Sequence, residues 1–109
     1  MYKKYNRKVG HMINTFSINN QTYSIRLSDH AQKRLTERNV DMFQCVGTIL
    51  SLGESRITEY KNSNRDIMII DKEHNFSVVC AIENNCIYVV TIIDKADVFV
   101  KSNTEIVNL

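Results

Sequence analysis

The sequence contains no proline among its 109 residues. Because proline lacks the backbone N–H that a strand donates to its neighbour, its absence fits an uninterrupted antiparallel meander. The chain also has no run of 18 or more apolar residues, so no membrane-spanning helix is expected. The basic N-terminus is not followed by an apolar segment, so we do not expect a secretory signal peptide.

Cysteine is scarce and forms no motif. The three cysteines are Cys45, Cys80 and Cys86, and an odd count without metal-type spacing argues against a disulfide scaffold or a zinc site. If Asn84-Asn85 forms a two-residue turn, position 80 faces position 89, so Cys80 and Cys86 are not cross-strand partners. The three dispersed histidines form no metal cluster either. We therefore predict a reduced, cytoplasmic protein without a metal or cofactor.

Positive charge is concentrated at one end of the chain. Residues 1–12 carry four basic residues and no acid, which leaves 10 basic against 12 acidic residues in the remainder, a net charge of −2. The body is therefore not a strongly basic nucleic-acid binder, and any anion site must be local. We predict a flexible basic arm over 1–11, a single domain over 12–101 and a loose tail over 102–109.

The first half of the chain predicts a hairpin and two helices. Apolar and polar residues alternate before and after Asn19-Asn20, which is typical of a β-hairpin. Ser28 is a good N-cap for a helix that ends near Asn39. Asp41 caps a second helix, for which Gly53 is a plausible stop.

The second half predicts strands over 55–60, 65–71, 76–82 and 86–94, with a weaker edge strand over 98–100. The segments 78–82 and 87–93 are apolar at odd and even positions alike, which indicates central strands covered on both faces of the sheet. The fold class is therefore α+β: an N-terminal β-hairpin, two helices, then an antiparallel meander of about four strands with the helices packed on one face. The predicted core contains Phe43, Val46, Ile49, Leu50, Val79, Ala81 and Val90.

The first helix carries three candidate functional side chains. His30, Arg34 and Arg38 recur every four residues and so lie on one stripe. Guanidinium groups bind phosphate in a bidentate way, and histidine titrates near neutral pH, which suits a phosphodiester site. A solvated helix face explains the same spacing without any function.

Two segments together resemble a known family. The string Ser-Asp-His-Ala-x-x-Arg-x-x-x-Arg spans 28–38, and Val-Val-x-Ala-Ile-Glu-Asn-Asn-x-Ile-x-Val-Val-Thr spans 78–91. They are similar to a bacterial domain family of unassigned function related to the RelE-like and BrnT-like ribonuclease toxins, within the barnase/EndoU/colicin/RelE group. The resemblance covers about residues 23–93. The segment after Thr91, which includes Asp94, departs from the pattern.

This resemblance implies a small metal-independent ribonuclease toxin that cleaves RNA through 2′-hydroxyl attack. It implies a catalytic site of His30, Arg34, Arg38 and Thr91, with Arg65 as a basic residue beside it. Lys33 and Tyr60 are further candidates for RNA contact, although Lys33 also suits pairing with Glu37, and core packing is the better explanation of Tyr60. The implied partners are RNA and an antitoxin or immunity protein, and no association with a membrane is implied. The protein would act in the cytoplasm, either its own or that of a target cell.

One catalytic group is not evident. RNA cleavage without a metal needs a base, an acid and cations that stabilise the phosphorane. Arginine does not deprotonate, so His30 is the one acid–base in the stripe. Pairing of Glu37 with Lys33 and Arg34 accounts for that carboxylate. A non-catalytic RNA- or protein-binding module on the same scaffold, such as a phage or mobile-element protein, is therefore the alternative.

Overall fold

The computed structural model describes residues 10–61, 63, 65–93 and 104–109, and these residues form three helices and one six-stranded mixed sheet. The fold class is α+β, as predicted. In chain order the elements are β1 (His11–Ile18), β2 (Gln21–Leu27), α1 (Asp29–Glu37), α2 (Met42–Leu50), α3 (Gly53–Tyr60), β3 (Ile67–Asp71), β4 (Phe76–Glu83), β5 (Cys86–Ile93) and β6 (Glu105–Asn108).

Both asparagine-rich turns form as predicted. Asn19 and Asn20 have φ values of 51° and 65°, and Ile18 pairs with Gln21 in the antiparallel β1–β2 hairpin. Two successive residues with positive φ give the turn whose twist matches the flanking strands, and asparagine tolerates that conformation. The β4–β5 turn at 84–85 likewise joins paired strands. Its register sets residue 80 opposite residue 89, and all three cysteines are free.

The sheet has the strand order β1-β2-β5-β4-β3-β6. β3, β4 and β5 form an antiparallel meander, while β2 pairs parallel to β5 and β6 pairs parallel to β3. Consequently β2, β3, β5 and β6 all run in one direction. We call the side of the sheet where these four strands end the carboxyl edge, and the side where they begin the amino edge.

The three helices bury their apolar sides in one core cluster with one face of the sheet. α1 packs over β2 and β5, and α2 packs over β3 and β4. From the helices the cluster takes Ala31, Leu35, Cys45, Ile49, Leu52 and Ile57. β4, which lies between β5 and β3, is buried along most of its length on both faces of the sheet, as its sequence predicted. The helix layer on one face is thus as expected.

One predicted strand is a helix. Residues 55–60 belong to α3, which begins at Gly53 with a φ of +83°. The α3 residue Ile57 is buried, and Tyr60, one turn later, packs against the core. An i, i+3 pair of this kind is helical periodicity, but it is too short in the sequence to outweigh an alternating reading. The meander accordingly has three strands rather than four.

The buried side of α2 also differs from the prediction. Ile49 is buried as expected, but Phe43 is 83% exposed and Leu50 is exposed as well. The residues that face the core are Cys45, Thr48 and Ile49. Because α2 has no charged residue and its polar Thr48 faces the core, the pattern of side chains does not identify the inward face. Of the other predicted core residues, Ala81 is buried, whereas Val46, Val79 and Val90 are half-buried.

The chain ends differ from the prediction where they are described. A loose tail was predicted over 102–109, but Glu105–Asn108 forms β6, whose Val107 is buried beside β3. Of the predicted arm, Gly10 and His11 belong to the fold: the Gly10 carbonyl accepts a hydrogen bond from Arg26, and His11 begins β1. Residues 1–9, Asp94 and the edge strand predicted over 98–100 lie outside the described residues.

Candidate functional site

The start of α1 is fixed to β5 by one residue. The Ser28 N–H donates to the Val89 carbonyl at 3.0 Å, and its hydroxyl donates to the Val90 carbonyl at 2.8 Å. The same hydroxyl accepts from the Ala31 N–H at 2.9 Å, so Ser28 is the N-cap that the sequence predicted. These contacts hold the first turn of α1 at the carboxyl edge of the sheet.

The burial of Ala31 and Leu35 decides which side of α1 faces solvent. His30 is exposed and Arg34 is half-buried on the flank of the helix. The Arg34 Nε donates to His30 Nε2 at 3.4 Å, so this ring nitrogen is the acceptor in the contact. Arg38 is the exposed C-cap one turn further, and its N–H donates to the Arg34 carbonyl. The structure therefore brings two members of the predicted stripe into contact and keeps the third on the same helix.

His11 adds an imidazole that the sequence analysis did not assign to the site. Its Nε2 lies 2.7 Å from the Asp29 carboxylate, and Asp29 is the residue before His30. The register of the β1–β2 hairpin could have placed this part of β1 beside the start of α1. Counting from the Asn19-Asn20 turn sets residue 12 opposite Leu27, and the bulge between residues 12 and 14 shifts that partner to His11. β1 therefore delivers His11 to the beginning of α1.

Thr91 lies away from this pair. It is opposite Val79 in the β4–β5 register, while the neighbouring Val78 and Cys80 point into the core beneath the helices. Alternation along β4 therefore puts Val79 and Thr91 on the sheet face opposite α1. The bulge at Val90 produces this phase, because it inserts one residue between the two registers. The threonine hydroxyl is thus not directed toward α1.

Two predicted RNA-contacting residues lie at the opposite edge of the sheet. Arg65 precedes β3 at the amino edge and pairs with Glu105 at 3.0 Å. Tyr60 packs against the core nearby. Burial raises the Tyr60 pKa, and the negative charges of Glu105 and Glu59 raise it further. The positive charges of Arg56 and Arg65 lower this pKa by less, so the phenol is neutral at physiological pH. Lys33 stays on α1, where its ammonium lies 4.0 Å from Glu37.

A second histidine–carboxylate pair lies in the β3–β4 turn. Asp71 accepts from the His74 N–H at 3.1 Å, and its second oxygen lies 2.7 Å from His74 Nδ1. With Glu73 they form the one group of three possible metal-ligating side chains, within 4.8 Å of one another, in the described part of the chain. Two of these three side chains already contact each other, which is the arrangement of a closed turn.

A cleft of about 400 Å³ opens on the other side of α1 from His30. Its walls are mainly apolar side chains from β1, α1 and the start of α2, and His11, Gln32 and Thr36 contribute the polar groups. His11 therefore lies between this cleft and the first turn of α1. The His30–Arg34 contact and the His11–Asp29 contact therefore lie on two flanks of the first turns of α1.

Comparisons of the chain with protein-family models, curated proteins and solved structures found no match. None of these comparisons links the chain to the RelE-like or BrnT-like toxins. None of the helices in the described ranges has the length and apolar character needed to span a bilayer.

Proposed function

We propose that this protein is a small metal-independent endoribonuclease whose site lies at the first turn of α1. The observation that carries the proposal is the pair of contacts there: Arg34 with His30, and His11 with Asp29. RNA cleavage by the 2′-hydroxyl needs two acid–base groups and a cation for the phosphate. We assign these roles to the His30 and His11 imidazoles, on two flanks of the start of α1, and to the Arg34 guanidinium.

The roles follow from the contacts. His30 acts as the general base when the 2′-hydroxyl replaces the Arg34 Nε–H as the partner of His30 Nε2; this nitrogen takes the hydroxyl proton, and the oxygen then attacks phosphorus. His11 acts as the general acid: its imidazolium gives a proton to the departing 5′-oxygen. Arg34 uses donors other than Nε to bind the phosphate oxygens. The products are a 2′,3′-cyclic phosphate and a 5′-hydroxyl end.

The test is cleavage of bulk cellular RNA by the purified protein in excess EDTA. His30→Ala and His11→Ala should each lose about 10²–10⁴ in rate, because each removes an acid–base group. Arg34→Lys should lose roughly 10²–10³, since a point charge does not reproduce the guanidinium fork. His74→Ala is the matched control, because its imidazole belongs to a different turn. Cleavage that requires Mg²⁺, or that survives His30→Ala, would overturn the mechanism.

The toxin role is a further part of the proposal. A free-standing or delivered ribonuclease would arrest growth when produced in the cytoplasm without its antitoxin or immunity partner. Induced expression should therefore be toxic for the wild-type chain and harmless for His30→Ala at equal protein level. Toxicity that persists in His30→Ala would separate growth arrest from RNA cleavage.

A non-catalytic RNA- or protein-binding module is the second candidate. The exposed apolar side of α2 favours it, because large exposed apolar surfaces mark interaction sites. A module that binds RNA should shift RNA in a gel without producing fragments. Arg34→Lys should then weaken the shift while His30→Ala leaves it intact.

A further inference from the structure

α2 presents an apolar stripe to solvent. Phe43 is 83% exposed and Leu50 is 40% exposed, and Gly47 lies between them on the same side of the helix. Apart from its chain neighbours and the nearby backbone of α2, no atom of the described residues lies within 4 Å of the position that a Gly47 Cβ would occupy. The sequence from Met42 to Gly53 contains no charged residue. Large apolar side chains are normally buried, but no part of the chain that the structure describes covers this stripe.

We propose that the cover is a second copy of this chain, with α2 packed antiparallel against α2 around a twofold axis. A twofold interface uses one patch twice, so the patch must be complementary to itself. With the axis between Val46 and Gly47, Phe43 of one copy lies opposite Leu50 of the other. Gly47 leaves room for the two helix backbones to approach closely at the axis.

The exposed area suits such a dimer. The apolar patch consists of Phe43 and Leu50 together with Met42 (44% exposed) and Met12 (56% exposed), which both line the cleft between β1 and α2. At roughly 150–200 Å² for a large apolar side chain, these fractions leave about 350 Å² per copy. Since interfaces are about 57% apolar, the patch with its polar rim amounts to roughly 600 Å² per copy. The total of about 1,200 Å² is the lower limit for a specific, stable interface.

Charge favours a second copy as well. An uncharged stripe brings no like charges together when it meets itself, and no ion has to be desolvated. In the antiparallel arrangement the positive N-terminal end of each helix lies beside the negative C-terminal end of the other. A highly charged partner would gain nothing from this surface, whereas a second copy matches it along its whole length.

Sedimentation velocity from about 1 μM to 1 mM tests the dimer, since an interface near the lower size limit dissociates on dilution. The wild-type mass should rise toward twice the monomer mass, and Phe43→Glu should remain monomeric throughout. Thr58→Glu adds the same charge at an exposed position on α3 and should behave as wild type. Circular dichroism checks folding, which Phe43→Glu should retain because Phe43 is exposed. A wild-type chain that stays monomeric, or a Phe43→Glu variant that still dimerises, overturns the proposal.

Cross-linking tests the axis. Gly47→Cys should form an intermolecular disulfide under mild oxidation, because the two copies of position 47 meet beside the axis. Thr58→Cys, which is equally exposed, should not. Equal cross-linking of both variants, or none in Gly47→Cys at concentrations where the wild type is dimeric, contradicts the antiparallel α2 interface.

Discussion

Two histidines in this chain, His74 and His11, each contact a carboxylate, but the two contacts arise in different ways. His74 is held by a carboxylate three residues away in the same turn, whereas His11 meets Asp29 across 18 positions of sequence. The first contact depends on local turn geometry, and the second depends on the hairpin register. At the residue scale, therefore, His74 contributes to folding and His11 is available for chemistry at the start of α1.

The Asp71–His74 pair should make stability depend on pH in two directions. The hydrogen bond and charge of Asp71 raise the His74 pKa above 6.5, so this contribution is complete below pH 6.5 and disappears as pH rises through the raised value. Burial acts to raise the Asp71 pKa, but hydrogen bonds from His74 and its charge lower it below 3.8. That contribution is complete above about pH 4 and disappears as pH falls through the lowered value.

The free energy of unfolding at about pH 5 and pH 8.5 measures the histidine component. The wild-type protein should lose more stability between these values than His74→Asn does. Asp71→Asn should remove the same pH-dependent component, and combining both changes should add little to it. A parallel loss in the wild type and His74→Asn would show that the pair does not contribute.

At the scale of elements, Lys61 connects the end of α3 to the β1–β2 hairpin and to the β4–β5 turn. Its ammonium donates to Asn85 at 2.8 Å, to the Tyr23 hydroxyl at 3.3 Å and to Gln21 at 3.4 Å, and it lies 5.2 Å from the Tyr23 ring centroid. Three acceptors match the three donors of an ammonium group. The contact therefore ties the helix layer to the amino edge of the sheet without a carboxylate.

Lys61→Met should lower the free energy of unfolding by about 2 kcal/mol, because it removes hydrogen bonds from a charged donor and leaves their acceptors partly buried. Lys33→Met is the matched control. Lys33 is 73% exposed in its side chain on α1, so its loss should change stability by less than about 0.5 kcal/mol. Urea unfolding of both variants measures the difference, and equal effects would show that Lys61 is not a structural link.

At the scale of the whole molecule, β6 adds the last strand to the sheet by pairing with β3, which lies far from it in the sequence. Its residue Glu105 pairs beside Ile67 in a parallel ladder, and the Leu109 N–H donates to the Ile70 carbonyl. Val107 enters the core cluster formed by all three helices. The C-terminal residues therefore belong to the folded unit.

Val107→Ala should lower the free energy of unfolding by about 2 kcal/mol, the value of burying an aliphatic side chain. Ile106→Ala removes more carbon from the adjacent position, but Ile106 is 42% exposed, so its effect should be smaller. Chemical denaturation of the two variants gives the comparison. If Ile106→Ala proves the more destabilising change, Val107 is not anchored in the core.

The sequence by itself determined the features that depend on neighbouring residues. Ser28 and Asp41 cap their helices, and asparagine supports positive φ in both hairpin turns, because each effect acts within a few positions. The α+β class followed from the same local patterns. The His30–Arg34 contact was predictable in the same way, because residues four apart on a helix are neighbours.

Only the tertiary structure decided the features that depend on distant packing. Parallel pairing of β2 with β5 and of β3 with β6 has no local signal, and it sets which residues share an edge of the sheet. That pairing separates Arg65 from His30, while the β1 bulge brings His11 to Asp29. Which side of α2 faces the core likewise depends on how the helix packs against β3 and β4. Phe43 and Ile49 are both large and apolar and α2 has no charged residue, so the shape of the rest of the core decides which of the two is buried.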